Sequence, residues 1–206
     1  VLIEEILSAF SYLNNLKKPV FVDGTLGLAG HTISLLKRCS NNNLQVIGID
    51  KDEKALKIAE KNILSSELKN NLTLIHDDFN NFKNIRINYQ IRSAHGILLD
   101  LGVSSMQLDD KTRGFSFLDL SAPLDMRMNQ YQTKDAAKIL NNFSQNDLET
   151  ILRNGEERHF RKIAYNICQF RKGKEIKKVG DLVEIIKKSA PNKYHRTHFA
   201  TDTFRA

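Results

Sequence analysis

Hydrophobic and polar positions divide the chain into two regimes. In the first, short apolar runs alternate with segments of helical period. Leu2, Ile6, Phe10 and Leu13 fall on one face and predict an amphipathic helix over 1–16. Val20-Phe21-Val22 is a run of strand formers, and Ile33, Leu35 and Leu36 give the next segment a helical period. Further strands are expected at 45–50, 72–76 and 96–100. A helix over 52–64 is carried by Ala55, Leu56, Ile58, Ala59 and Ile63. Four strands alternating with helices predict an α/β fold with a parallel, doubly wound sheet. The second regime begins after Asp100. Residues 101–129 hold turn formers and no helical period. Helices are then expected over 134–141, from Ser144 onward, over 156–170 and over 179–189. Ser144 and Asp147 form a loose capping-box pair at the second of these. This stretch reads as a helical module inserted after the fourth strand.

The first strand runs into Asp23-Gly24-Thr25-Leu26-Gly27-Leu28-Ala29-Gly30-His31, a glycine loop that opens a helix. Strand, glycine loop and helix make the first unit of a nucleotide-binding sheet, or else an ordinary glycine-rich turn. The loop lacks the G-x-G-x-x-G spacing of dinucleotide sites and carries an acid at the strand end. Asp23 would repel a pyrophosphate; it suits a ligand with a cationic amino-acid end, such as S-adenosylmethionine. Asp50 closes the second strand about 20 residues further on, where an acid reaches ribose hydroxyls; alternatively it caps the helix that follows. Asp77, Asp78 and Asp100 also fall at strand ends, on the edge where open α/β sheets hold ligands. Phe79 is either a flat face for an adenine ring or a core aromatic.

Charge changes the picture for the second regime. The net charge is +7, yet residues 151–206 hold 14 Lys and Arg against 6 Asp and Glu, and the first 150 residues hold 17 against 18. A near-neutral half followed by a basic one points to a polyanion partner, or to a lysine-rich solvated surface. Cys39 and Cys168 are far apart, which fits a reducing compartment with neither a disulfide framework nor a metal site. With no apolar run near 18 residues and no visible signal peptide, a soluble intracellular protein is expected. The missing initiator Met predicts a natural N-terminus upstream.

Several blocks carry a resemblance. Asp100 to Asp109 reads D-L-G-V-S-S-M-Q-L-D, Arg113 to Phe117 reads R-G-F-S-F, and Pro123 to Met128 reads P-L-D-M-R-M. Gly155-Glu156-Glu157 and Ala200-Thr201 with Thr203-Phe204 follow in order. Over nearly its whole length the chain resembles the RsmH (MraW) family of small-subunit rRNA cytosine-N(4) methyltransferases. The resemblance implies a Rossmann-like, S-adenosylmethionine-dependent methyltransferase sheet with an inserted helical domain that helps recognise RNA. It implies methylation of a cytidine in the decoding region of the small ribosomal subunit. It puts cofactor contacts on Ala29, Gly30, His31, Asp50, Phe79, Asp100 and Gln107, to which Asp23 is added from the loop chemistry. The expected division is a core over 1–108, a helical RNA-recognition insertion over 109–195, and a return towards the core over 196–206.

The chemistry agrees with the resemblance. The exocyclic amine of cytosine is a weak nucleophile, because its lone pair is delocalised into the ring. A site helps by accepting the amine's hydrogen bonds and aligning it with the methyl group. Asp100 and the hydroxyls of Ser104 and Ser105 are the expected acceptors. Carbon-5 methylation would need a catalytic Cys, and neither cysteine lies near these motifs. The base must leave its stack; Phe115 and Phe117 either stack on it or pack in the core. RNA contact is further expected from Arg113, Arg127, Arg171, Lys172 and Lys174. Four positions depart from the family pattern: Ala29 and Ala122 replace glycines, Phe199 replaces a proline, and Asp202 replaces a basic residue. The pattern also continues beyond Ala206, through a further helix and the remaining strands, so the chain is expected to be a fragment. A nucleotide-dependent oxidoreductase and a catalytically silent RNA-binding or assembly protein are the competing readings. A bacterial cytoplasmic location is expected, with an organellar one as the alternative, and a homodimer stays open.

Overall fold

The computed structural model describes residues 2–39, 43–64, 67–189 and 198–206. Two compact units divide the chain, Val1–Gly102 and Val103–Ala206.

The first unit is built on four strands, β1 (Val20–Asp23), β2 (Gln45–Asp50), β3 (Leu72–His76) and β4 (Gly96–Leu98), in the order β3-β2-β1-β4. All neighbours pair in parallel, with Val22 facing Ile47 and Ile97 in register. Side chains alternate across β1, so Phe21 and Val22 serve opposite faces. Phe21 packs with Leu7 and Leu13 from the N-terminal segment and with Leu35 and Leu36 of helix α2 (Gly30–Arg38). Val22 packs with Ile49, Ile75 and Ile85, the last on helix α4 (Phe82–Asn88). Helix α3 (Glu53–Leu64) sets Leu56, Ala59 and Ile63 against Leu26 and Ala29 of the glycine loop. With helices on both faces and strand order 3-2-1-4, the sheet is the Rossmann-like arrangement expected.

Two expectations in this unit change. The helix over 1–16 is broken: α1 (Ile3–Ala9) gives way to a 3-10 turn (Ser11–Asn15) at Phe10. Phe10 leaves the helix to set its ring edge-on against Phe21, at 4.8 Å and 80°, while Leu13 is fully buried. Core contact here overrides helical period. The fourth strand stops at Leu98, short of Asp100, because the chain turns there to reach the glycine loop.

The second unit is helical: α5 (Ser105–Asp109), α6 (Ala136–Asn142), α7 (Gln145–Asn154), α8 (Phe160–Phe170), α9 (Val179–Ser189) and α10 (Thr201–Arg205). Leu148, Leu152, Ile163, Ile167, Leu182, Ile185 and Ile186 form one core, joined by Leu124, Ile176 and Ala200. The Ser144 and Asp147 capping box forms in full. Helix α8 begins at Phe160 rather than 156, because Glu156 takes a left-handed φ of 64° that ends the preceding turn. Helix α5, within a stretch expected to lack helix, is started by local capping chemistry rather than by apolar period. The division falls after Gly102, ahead of the boundary expected at 108. The described residues of the expected return segment, 198–206, pack in this helical unit; residues 190–197 lie outside the described residues.

Candidate functional site

The carboxyl edge of the sheet in the first unit gathers the glycine loop and three strand exits. Asp23 is 1% exposed; its Oδ2 accepts the Thr32 hydroxyl at 2.7 Å and its Oδ1 the Thr25 amide at 3.3 Å. Burial pushes its carboxyl above the usual range, against the pull of those two donors and of His31. Asp23 therefore lies behind the loop and holds it to α2. Asp50 is half-buried, with Oδ2 accepting the Gly27 amide at 2.7 Å and Oδ1 the Asp52 amide at 2.8 Å. Burial pushes this carboxyl up as well, opposed by the same two amides. Asp50 thus helps start the helix that follows, and a carboxylate bound by two amides has further lone-pair sites.

Phe79 reaches the same edge through its own acids. Asp77 accepts the Asp78 amide at 2.7 Å and Asn81 Nδ2 at 2.8 Å, and Asp78 caps the turn by accepting the Asn80 amide at 2.9 Å. Phe79 then stands over Gly24, where an added methyl group would lie 3.4 Å from Phe79 Cβ and 2.5 Å from Leu99 Cδ2. A side chain at this position would have to displace the half-exposed end of Leu99. Asp100 is exposed, and its amide donates to Thr25 Oγ1 at 2.7 Å. Thr25 thus holds the backbone at Asp100 from within the glycine loop, a contact that the sequence did not reveal. Ala29, at φ 67°, turns the chain into α2. A methyl group on Gly30 would meet nothing within 4 Å, so the space before that helix is open, and His31 is half-exposed.

In the second unit, Ser104 Oγ accepts the Gln107 amide at 3.2 Å, and Gln107 Oε1 accepts the Ser104 amide at 2.9 Å. This capping box starts α5 and buries Gln107, while Ser105 stays exposed. Arg113 is 2% exposed, and its Nη2 donates to the carbonyls of Arg127 and Met128 at 2.6 and 3.1 Å. Arg127 clasps the Asp125 carboxylate, with Nη2 to Oδ2 at 2.6 Å. Although burial pushes Asp125 up, these bonds hold it below the usual carboxylate range. Both arginines thus knit the loop, and Arg113 has no surface to offer RNA. Phe115 is likewise buried, beneath the Arg113 guanidinium. Phe117 is half-buried against the helical core. Arg171 donates to the Leu140 carbonyl at 2.7 Å, whereas Lys172 and Lys174 stay exposed while touching Gln169 and Asp181.

The MraW methylase family matches residues 1–206, the whole chain. The chain belongs to that family. A protein of Clostridium botulinum (strain 657 / Type Ba4) named Ribosomal RNA small subunit methyltransferase H is 42% identical over 208 aligned residues, covering 100% of this chain and 65% of its own length. Relatives from Agathobacter rectalis, named Ribosomal RNA small subunit methyltransferase H 2, and Finegoldia magna, named Ribosomal RNA small subunit methyltransferase H, are each 40% identical over 91% of the chain and 60% of their own lengths. The chain thus spans less than two thirds of the length of these MraW relatives.

Motifs separated in sequence meet inside the helical unit. Gly114 takes φ 70°, and a methyl group there would lie 2.2 Å from the Pro123 carbonyl oxygen, so the R-G-F and P-L-D blocks need glycine at their contact. Glu157 accepts the His159 amide at 2.8 Å and the Thr203 hydroxyl at 2.7 Å, which ties the G-E-E block to the final helix.

Proposed function

We propose that the intact protein is an S-adenosylmethionine-dependent methyltransferase acting on the exocyclic N(4) amine of a cytidine in the decoding region of small-subunit rRNA. One observation carries this reading: Asp50 fixed to Gly27, Phe79 beside Gly24 and Asp100 tied to Thr25 share the ligand-binding edge of one parallel sheet. Family membership and the names of the relatives support it.

S-adenosylmethionine, when bound, supplies an electrophilic methyl group on a sulfonium. Asp50 accepts the ribose hydroxyls with its remaining lone pairs, and Phe79 offers an apolar face to the adenine. Ala29, Gly30 and His31 form the amide-rich start of α2, which suits the carboxylate of the amino-acid end. Asp23 contributes negative charge from behind the loop, opposite the cofactor's cationic groups. Asp100 accepts a hydrogen bond from the cytosine amine, directs its lone pair, and is suited to take the proton the amine sheds. Ser104 and Ser105 are the further acceptors. The exposed lysines 172 and 174 draw the polyanion. The reaction belongs in the bacterial cytoplasm, with the small subunit.

The test is to incubate the intact protein with S-adenosylmethionine and unmodified small subunits, then analyse the nucleosides by mass spectrometry. N(4)-methylcytidine is expected. A different methylated nucleoside would overturn the cytosine assignment. RNA binding without methyl transfer would favour the silent RNA-binding reading.

A further inference from the structure

We propose that Phe117, His198 and Phe199 form a stacking platform for an unpaired base of single-stranded RNA, with Phe199 as the outer ring. The inference rests on the RNA-methylation reading above and adds a binding site to it. Phe117 stacks on His198 with ring centroids 4.4 Å apart and planes 8° from parallel. His198 meets Phe199 at 4.2 Å and 33°. Behind Phe117, Phe204 packs edge-on at 5.7 Å and 76°. Four rings therefore run from the helical core to the surface.

The two ends of this run differ. Phe117 and Phe204 pack against the core cluster, and Ala200 is fully buried within it. Phe199 is 37% exposed and His198 is exposed. The chain thus buries the small residue at 200 and leaves the large aromatic before it partly exposed. The exposed end is held firmly. The Thr201 amide donates to the His198 carbonyl at 2.9 Å, and Thr203 bonds the buried Glu157 carboxylate at 2.7 Å. The Ala200 amide donates to His198 Nδ1 at 3.3 Å, which helps fix the orientation of the ring.

A pre-ordered aromatic end suits a nucleobase, because every base has a π-face and stacking requires no particular sequence. The unit carrying it holds 19 Lys and Arg against 13 Asp and Glu, so its charge favours a polyanion. RNA proteins commonly capture splayed bases in this way.

Residues 1–206 hold no tryptophan, and Phe199→Trp adds a fluorescent reporter at the platform, read as the difference between the variant and the unaltered intact protein. The intact protein carrying it is titrated with single-stranded oligocytidylate and, separately, with duplex RNA. Quenching by the single strand and little by the duplex are expected. Phe199→Leu should weaken single-strand binding roughly 5- to 100-fold. Its salt slope should be unchanged, since no phosphate contact is removed. Its thermal midpoint should hold, because the ring lies outside the core. Unquenched emission, or wild-type affinity in Phe199→Leu, overturns the platform. If the unaltered protein binds RNA normally in that case, the methyltransferase reading stands; if it binds no RNA, both fall.

Discussion

The Asp50 carboxylate accepts the Gly27 amide at 2.7 Å, so the acid that closes the second strand also holds the glycine loop in place. Loop shape, and in the proposed function cofactor contact, thereby depend on one side chain. Asp50→Ala should weaken S-adenosylmethionine binding by roughly 1.5–3 kcal/mol, the range for hydrogen bonds to a charged group. Calorimetry on the intact protein measures this, and unchanged affinity would remove Asp50 from the site.

Asp23 gives a pH signature. Burial raises its carboxyl above the ordinary value, so above about pH 4 the folded chain holds more protons at this site than the unfolded chain. Its contribution to stability therefore falls as pH rises through the raised value and is constant beyond it. Asp23→Asn cannot ionise and keeps one oxygen to accept the Thr32 hydroxyl. Relative to wild type, the variant should gain stability as pH rises through that window. Denaturant midpoints at a series of pH values check this; a difference independent of pH would refute it.

Asp100 ties itself to Thr25 through its backbone amide, leaving the exposed carboxylate outside that bond. Asp100→Asn should therefore fold normally while losing charge and acceptor capacity. Loss of one preorganised polar partner predicts a fall of about a hundredfold in single-turnover methylation. A folded variant with near-normal turnover would reduce Asp100 to a turn residue.

Arg113 is a buried staple, so its substitution should register in stability. Arg113→Met removes charge-assisted bonds to the carbonyls of Arg127 and Met128, a loss of about 2–4 kcal/mol. Urea midpoints read the effect. Unchanged stability with weakened RNA binding would instead make Arg113 a direct contact.

The sequence by itself determined the family, the alternating order of the first unit and several element bounds. Strands β2 and β3 and helix α9 sit where apolar runs and helical period put them, because those signals are local: an alternating or 3.6-residue pattern needs only a core on one side. The glycine loop and the strand-end acids were legible for the same reason, since a strand, a turn and a helix start each leave a short signature.

Only the tertiary structure decided what those residues touch. Phe10 breaks the first helix because Phe21, on another element, offers its face. Arg113, read as an RNA contact, is buried with its guanidinium donating hydrogen bonds to the carbonyls of Arg127 and Met128. Thr25 gained a role from the Asp100 amide 75 residues away, and His198 from the ring of Phe117. Charge and aromaticity are properties of a side chain alone, whereas burial and partnership belong to pairs. Pairs distant in sequence leave no local periodicity, and only the folded chain brings them together.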